Sequence, residues 1–81
     1  MLGDNIRDFV FKEYIEPARR QRRTTVIIRA GDVHDKMGLS KRMPAVCGAI
    51  GTNKFEKTYG IRLINREGPM HRADVLFTFE I

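Results

Sequence analysis

A single cysteine, Cys47, excludes an internal disulfide and fits a reducing compartment, so a cytoplasmic location is expected. Long apolar runs are missing too. The most hydrophobic stretch, VIIRAG, is broken by Arg29, far short of the ~20 residues a membrane span needs. The first residues, MLGDNIRDF, carry acids where a secretory leader has a basic and then an apolar segment, so no targeting signal is predicted. Size sets the last exclusion. At 81 residues the chain has room for one domain over residues 1–81. Such a chain buries about 60–65% of its unfolded surface, which leaves a small core and no deep substrate cavity.

Charge is present in plenty but unevenly placed. Residues 1–18 hold Arg7 and Lys12 against Asp4, Asp8, Glu13 and Glu16, a net of −2. The remainder holds 13 basic and 6 acidic residues, a net of +7, and the two parts recover the overall +5. A mildly acidic lead segment followed by a basic body points one face toward polyanions.

Hydrophobic spacing predicts the elements. Ile6, Phe9, Val10, Tyr14 and Ala18 recur at helical intervals within residues 1–20, with Phe11 and Ile15 widening the stripe. Pro17 either ends this helix near Ile15 or restarts it in a new first turn. Arg19, Arg20, Arg22 and Arg23 then read as a solvated tail that offsets the helix dipole. Thr24 to Arg29 is β-branched and short, hence a strand. Gly31 and Asp32 open a second helix, which Gly38 stops in a left-handed conformation. Ser40 is the expected cap of the third helix, which puts Lys41 and Arg42 in its first turn. Met43, Val46, Cys47 and Ile50 form its buried stripe, leaving Ala45, Gly48, Ala49 and Thr52 outward. Asn53 and Glu56 are spaced as a capping box for one further helical turn ended by Gly60. Two alternating strands close the chain over residues 61–81, joined by a basic loop with a Gly68-Pro69 turn signal.

Residues 24–50 therefore read as strand, helix, glycine turn and helix, with a helix before and a hairpin after. This layout resembles the winged helix-turn-helix superfamily over nearly the whole chain. The resemblance implies an α+β fold with three main helices, a short extra helical turn and a small antiparallel sheet ending in a β-hairpin wing. It implies a transcription-regulator type of protein that binds double-stranded DNA by seating the 40–50 helix in the major groove. The residues expected at that surface are Ser40, Lys41, Arg42, Ala45, Thr52, Asn53 and Lys54, with Arg66 and Arg72 from the wing. Arg42 is the best placed for a base contact, since a guanidinium can bond two acceptors of guanine. The small residues of the outward face carry little hydrogen-bond information, so shape-dominated recognition is expected. A scaffolding module with a protein partner is the alternative, and an apolar surplus on the first helix, centred on Phe11 and Tyr14, suggests a homodimer.

Other chemistry reads weakly. His34, Asp35 and Cys47 invite a nucleophile–base reading, but adjacent helical residues point about 100° apart, and Cys47 falls on the buried stripe. Asp32, His34, Asp35 and His71 lack the spacing of a metal site. The aromatic residues Phe9, Phe55, Tyr59, Phe77 and Phe79 fall on faces assigned to the core. No catalytic residue, metal, cofactor or small-molecule site is expected.

Overall fold

The computed structural model describes residues 2–68 and 72–81. The proposed Gly68-Pro69 turn extends into residues outside this range, and His71 lies outside it. The architecture is α+β, with helices set on one face of a three-stranded antiparallel sheet.

The first helix runs further than Pro17 would allow in an unbroken α-helix. It comprises α1 (Leu2–Val10), a π-helical turn (Phe11–Ile15) and α2 (Glu16–Arg20). Proline has no amide hydrogen, and its ring collides with the carbonyl four residues back. The chain widens by one residue just before it: the Glu16 amide donates to the Phe11 carbonyl, and Pro17 then stands in the first turn of α2. Of the two outcomes the sequence left open, the helix restarts.

Strand β1 (Thr25–Arg29) leads directly into α3 (Ala30–Lys36), one residue earlier than Gly31-Asp32 suggests. The Ala30 amide donates to the Val75 carbonyl (2.9 Å) and the Gly31 amide to the Ala73 carbonyl (3.0 Å). These bonds satisfy two of the orphan donors at the start of α3. Arg29 clasps the same corner, with its guanidinium 3.0 Å from Asp32 and 3.3 Å from Asp74. Gly38, at φ +66°, ends the turn after α3, as its position predicts.

Helix α4 (Met43–Ile50) is followed by α5 (Asn53–Tyr59), then β2 (Arg62–Glu67) and β3 (Leu76–Glu80). The sheet order is β1-β3-β2. Ile28, Phe77 and Phe79 point into the core beside Ile6, Val10, Ile15, Val33 and Phe55, while Ile27 on the other face is 62% exposed. Alternation along β3 thus reports the buried face correctly. Gly60 ends α5 in the left-handed region.

The polar partners depart from the local reading. Glu56 makes no capping box; its carboxylate accepts the Leu63 amide at 2.7 Å. Arg19 is no solvated tail of its own helix. It donates to the Tyr59 and Gly60 carbonyls, and so places its charge at the negative end of α5. Phe11 and Tyr14 do not form a free apolar pair either. Phe11 stacks on Tyr59 at 4.3 Å, and Lys36 stands over the Tyr14 ring at 4.8 Å, with the Tyr14 hydroxyl buried.

Candidate nucleic-acid interface

Helix α4 is positioned by its apolar side. Val46, Cys47 and Ile50 are buried as the spacing predicts, and Met43 is half-buried. Ala49, expected outward, is buried at 4% exposure. The reason is a neighbour: α1 packs against α4 as well as α3 does, so the covered arc is wider than one stripe. Pro44 and Gly48 remain exposed and Ala45 is half-buried, which leaves a narrow, smooth strip along the helix.

The lead-in differs from the expected one. The helix begins at Met43, with Arg42 as its N-cap and Pro44 in its first turn, so Ser40 does not cap it and Lys41 and Arg42 precede it. His34 of α3 supplies the missing acceptor: its Nε2 takes the Arg42 amide at 3.2 Å. This bond requires Nε2 to be unprotonated and leaves Nδ1 4.0 Å from Asp35. Cys47 is 1% exposed. Among the described residues no group of three or more His, Cys, Asp or Glu side chains is placed to hold a metal, and there is no ligand-sized pocket.

Ser40, Lys41 and Arg42 all lie exposed before α4. Lys41 has φ +55°, a left-handed conformation that favours glycine and costs a lysine roughly 1 kcal/mol. Gly48 is the converse. A methyl built on it meets nothing within 4 Å, so no packing demands a glycine there. Glycine within a helix costs about 0.5–1 kcal/mol relative to alanine.

At the other end of α4, Gly51 and Thr52 are exposed, and the Thr52 hydroxyl donates to the Ala49 carbonyl at 3.1 Å. Arg66 is brought here by the sheet. The sequence puts it in the loop at the hairpin tip, whereas it occupies β2 opposite Phe77, with its guanidinium over that ring at 5.2 Å. A methyl on Gly51 would stand 3.8 Å from Arg66 Nη1, so this cation borders the C-terminal end of α4. Asn53 is exposed at the start of α5. Arg72 is exposed in the β2–β3 connection.

Lys54 is partly committed elsewhere, pairing with Asp4 at 3.1 Å and tying α5 to α1. Asp4 also accepts from Arg7 at 2.6 Å; that bond first, and the one from Lys54 second, hold its carboxyl below its ordinary value. A depressed carboxylate stabilises the fold above the unfolded pKa, and the contribution is lost as pH falls through the folded one. Asp4→Asn is therefore expected to lower Tm slightly near pH 7, with the gap to the parent closing in strong acid, below the ordinary carboxylate range. Thermal unfolding at both pH values checks this, and a gap that persists in acid would dismiss the carboxylate as its source.

The chain matches no protein-family model, no curated protein and no solved structure. Among the described residues no helix is long and apolar enough to cross a membrane.

Proposed function

We propose that the protein is a winged helix-turn-helix module that binds duplex DNA without catalysis, in the manner of a transcription regulator. In this reading α3 and α4 are the helix-turn-helix pair, and the β2–β3 hairpin is the wing. One observation carries the proposal. Two exposed residues, one just before α4 and one within it, each cost stability: Lys41 occupies a backbone conformation that favours glycine, and Gly48 occupies a helix position that favours a side chain. Departures of this kind concentrate where function outweighs stability. Their chemistry agrees, since one supplies a cation and the other lets a partner come close to the helix.

Spacing supports the same reading. An eight-residue helix is about 12 Å long, comparable to the ~12 Å width of the major groove. Lys41 and Arg42 stand at one end of α4 and Arg66 at the other. Cations so placed suit the phosphates on either side of a groove, while Pro44, Ala45 and Gly48 read shape more than base identity.

The test is duplex binding across a salt series. With three or four phosphate contacts, log affinity is expected to fall with log salt at a slope of about −3 to −4. Gly48→Ala in the same assay is expected to raise Tm by several degrees, corresponding to about 0.5–1 kcal/mol, and yet to weaken the complex. Absence of duplex binding at low salt would refute the reading and leave the face to a protein partner. A tighter complex with Gly48→Ala would refute the role given to Gly48.

A further inference from the structure

The two edges of the sheet are treated differently. At β2 the register shifts between Leu63 and Asn65, the Leu63 amide is taken by Glu56, and Arg62, Arg66 and Glu67 punctuate the strand. Bulges and charges of this kind keep an edge from pairing with other chains. Strand β1, TVIIR, has none of these devices before its last residue, and among the described residues no strand lies on its outer side.

The hydrogen-bond phase of β1 follows from its two ends. The Ile81 amide donates to the Thr24 carbonyl and the Ala30 amide to the Val75 carbonyl. Antiparallel bonding alternates, so Val26 and Ile28 direct their amides and carbonyls to Phe79 and Phe77. Thr25, Ile27 and Arg29 direct theirs outward. The side chain of Ile27, at the middle of this edge, is 62% exposed.

We propose that this edge pairs with a second copy of the same chain, antiparallel about a two-fold axis through Ile27, to make one continuous six-stranded sheet. In that register Ile27 exchanges both backbone bonds with the partner's Ile27, and Thr25 does so with the partner's Arg29. Half-buried Val26 then lies against the partner's Ile28 on the core side.

The charges at the strand ends complement one another. Arg22 and Arg23, which precede β1, come beside the partner's α3 start, where Asp32 and Asp74 outnumber the Arg29 between them. Asp35, with its side chain 83% exposed, adds to that acidic end. Arg22 has φ +59°, a conformation that favours glycine, and so keeps a cation there at a local cost. Symmetry supplies the same contact at both ends.

The proposal stands apart from the DNA reading and is tested without DNA. Sedimentation at high micromolar concentration is expected to give a dimer for the wild type and a monomer for Ile27→Lys. Circular dichroism should show the variant folded, because Ile27 is outside the core. A second test uses thiols. Paired residues in a bonded antiparallel site have Cα atoms about 5.5 Å apart, within disulfide range. Ile27→Cys should cross-link to itself under mild oxidation. Thr25→Cys should not, because its symmetry mate lies about 13 Å along the strand. Native Cys47 is buried and serves as the unmodified control. A monomeric wild type, a dimeric Ile27→Lys, or equal cross-linking at positions 25 and 27 would each overturn the proposal.

Discussion

Gly31→Ala is expected to destabilise the fold more than any other single methyl added to the chain. The new Cβ would lie 2.7 Å from Arg29 Nη1 and 2.9 Å from both the Cβ and the carbonyl oxygen of Ala73. The arginine end can swing aside. The Ala73 carbonyl cannot yield cheaply, because it accepts the amide of Gly31 itself at 3.0 Å. Relief means drawing the 73–75 segment away from the start of α3, which also stretches the Ala30–Val75 bond and the Arg29–Asp74 pair. Overpacking and two weakened hydrogen bonds together cost about 2–4 kcal/mol, or roughly 10–25 °C in Tm for a domain of this size. Ala73→Gly added to Gly31→Ala should recover only the smaller part, since it removes a methyl and leaves the carbonyl in place. Thermal denaturation of the single and double variants checks the argument. A single variant within two or three degrees of the parent would show that the segment yields freely.

Gly31 also marks how far the sequence can be read. A glycine at a strand–helix junction looks like a start signal, but its reason is a carbonyl 42 positions further along the chain. Readings that depend on one element succeed. Val46, Cys47 and Ile50 share a face because helical period alone puts them there, and Phe77 and Phe79 alternate because a strand does. Gly38 and Gly60 stop their helices for a backbone reason local to each. Readings that depend on a partner do not succeed. The Ser40 cap is displaced by His34, the Glu56 box is diverted to Leu63, and Arg19 serves a helix 40 residues away. A polar group specifies that it needs a partner, not which one. The same limit governs the candidate interface. Lys41 and Arg42 are legible as cations beside α4 because they adjoin it in the chain, whereas the approach of Arg66 to Gly51 depends on the register of β2 against β3. Ala49 is buried against expectation for a related reason: the width of a buried arc depends on how many neighbours a helix has.

Replacing Lys41 and Arg42 together by alanine is expected to be the most damaging change to duplex binding. Each side chain is exposed and free of the ion pairs that occupy Lys12, Arg20, Arg29 and Lys54. Their charges are therefore available to phosphate, and their loss costs no internal ion pair. Two phosphate or base contacts at about 1–1.5 kcal/mol each amount to a loss of roughly 30- to 150-fold in affinity. The salt slope should fall by about 2 at the same time, because each missing cation releases one fewer counterion. Stability gives the independent check. Alanine escapes the left-handed conformation no better than lysine does, so Tm should barely move, and a folded protein that binds weakly isolates the charge effect. The comparison is Lys12→Ala with Arg20→Ala, which removes the same net charge from exposed side chains of the first helix, away from α4. If both double variants lose affinity equally, the net charge of the molecule and not the surface before α4 is responsible. If only the first loses it, and with the reduced slope, the cations leading into α4 are the ones that meet the phosphates.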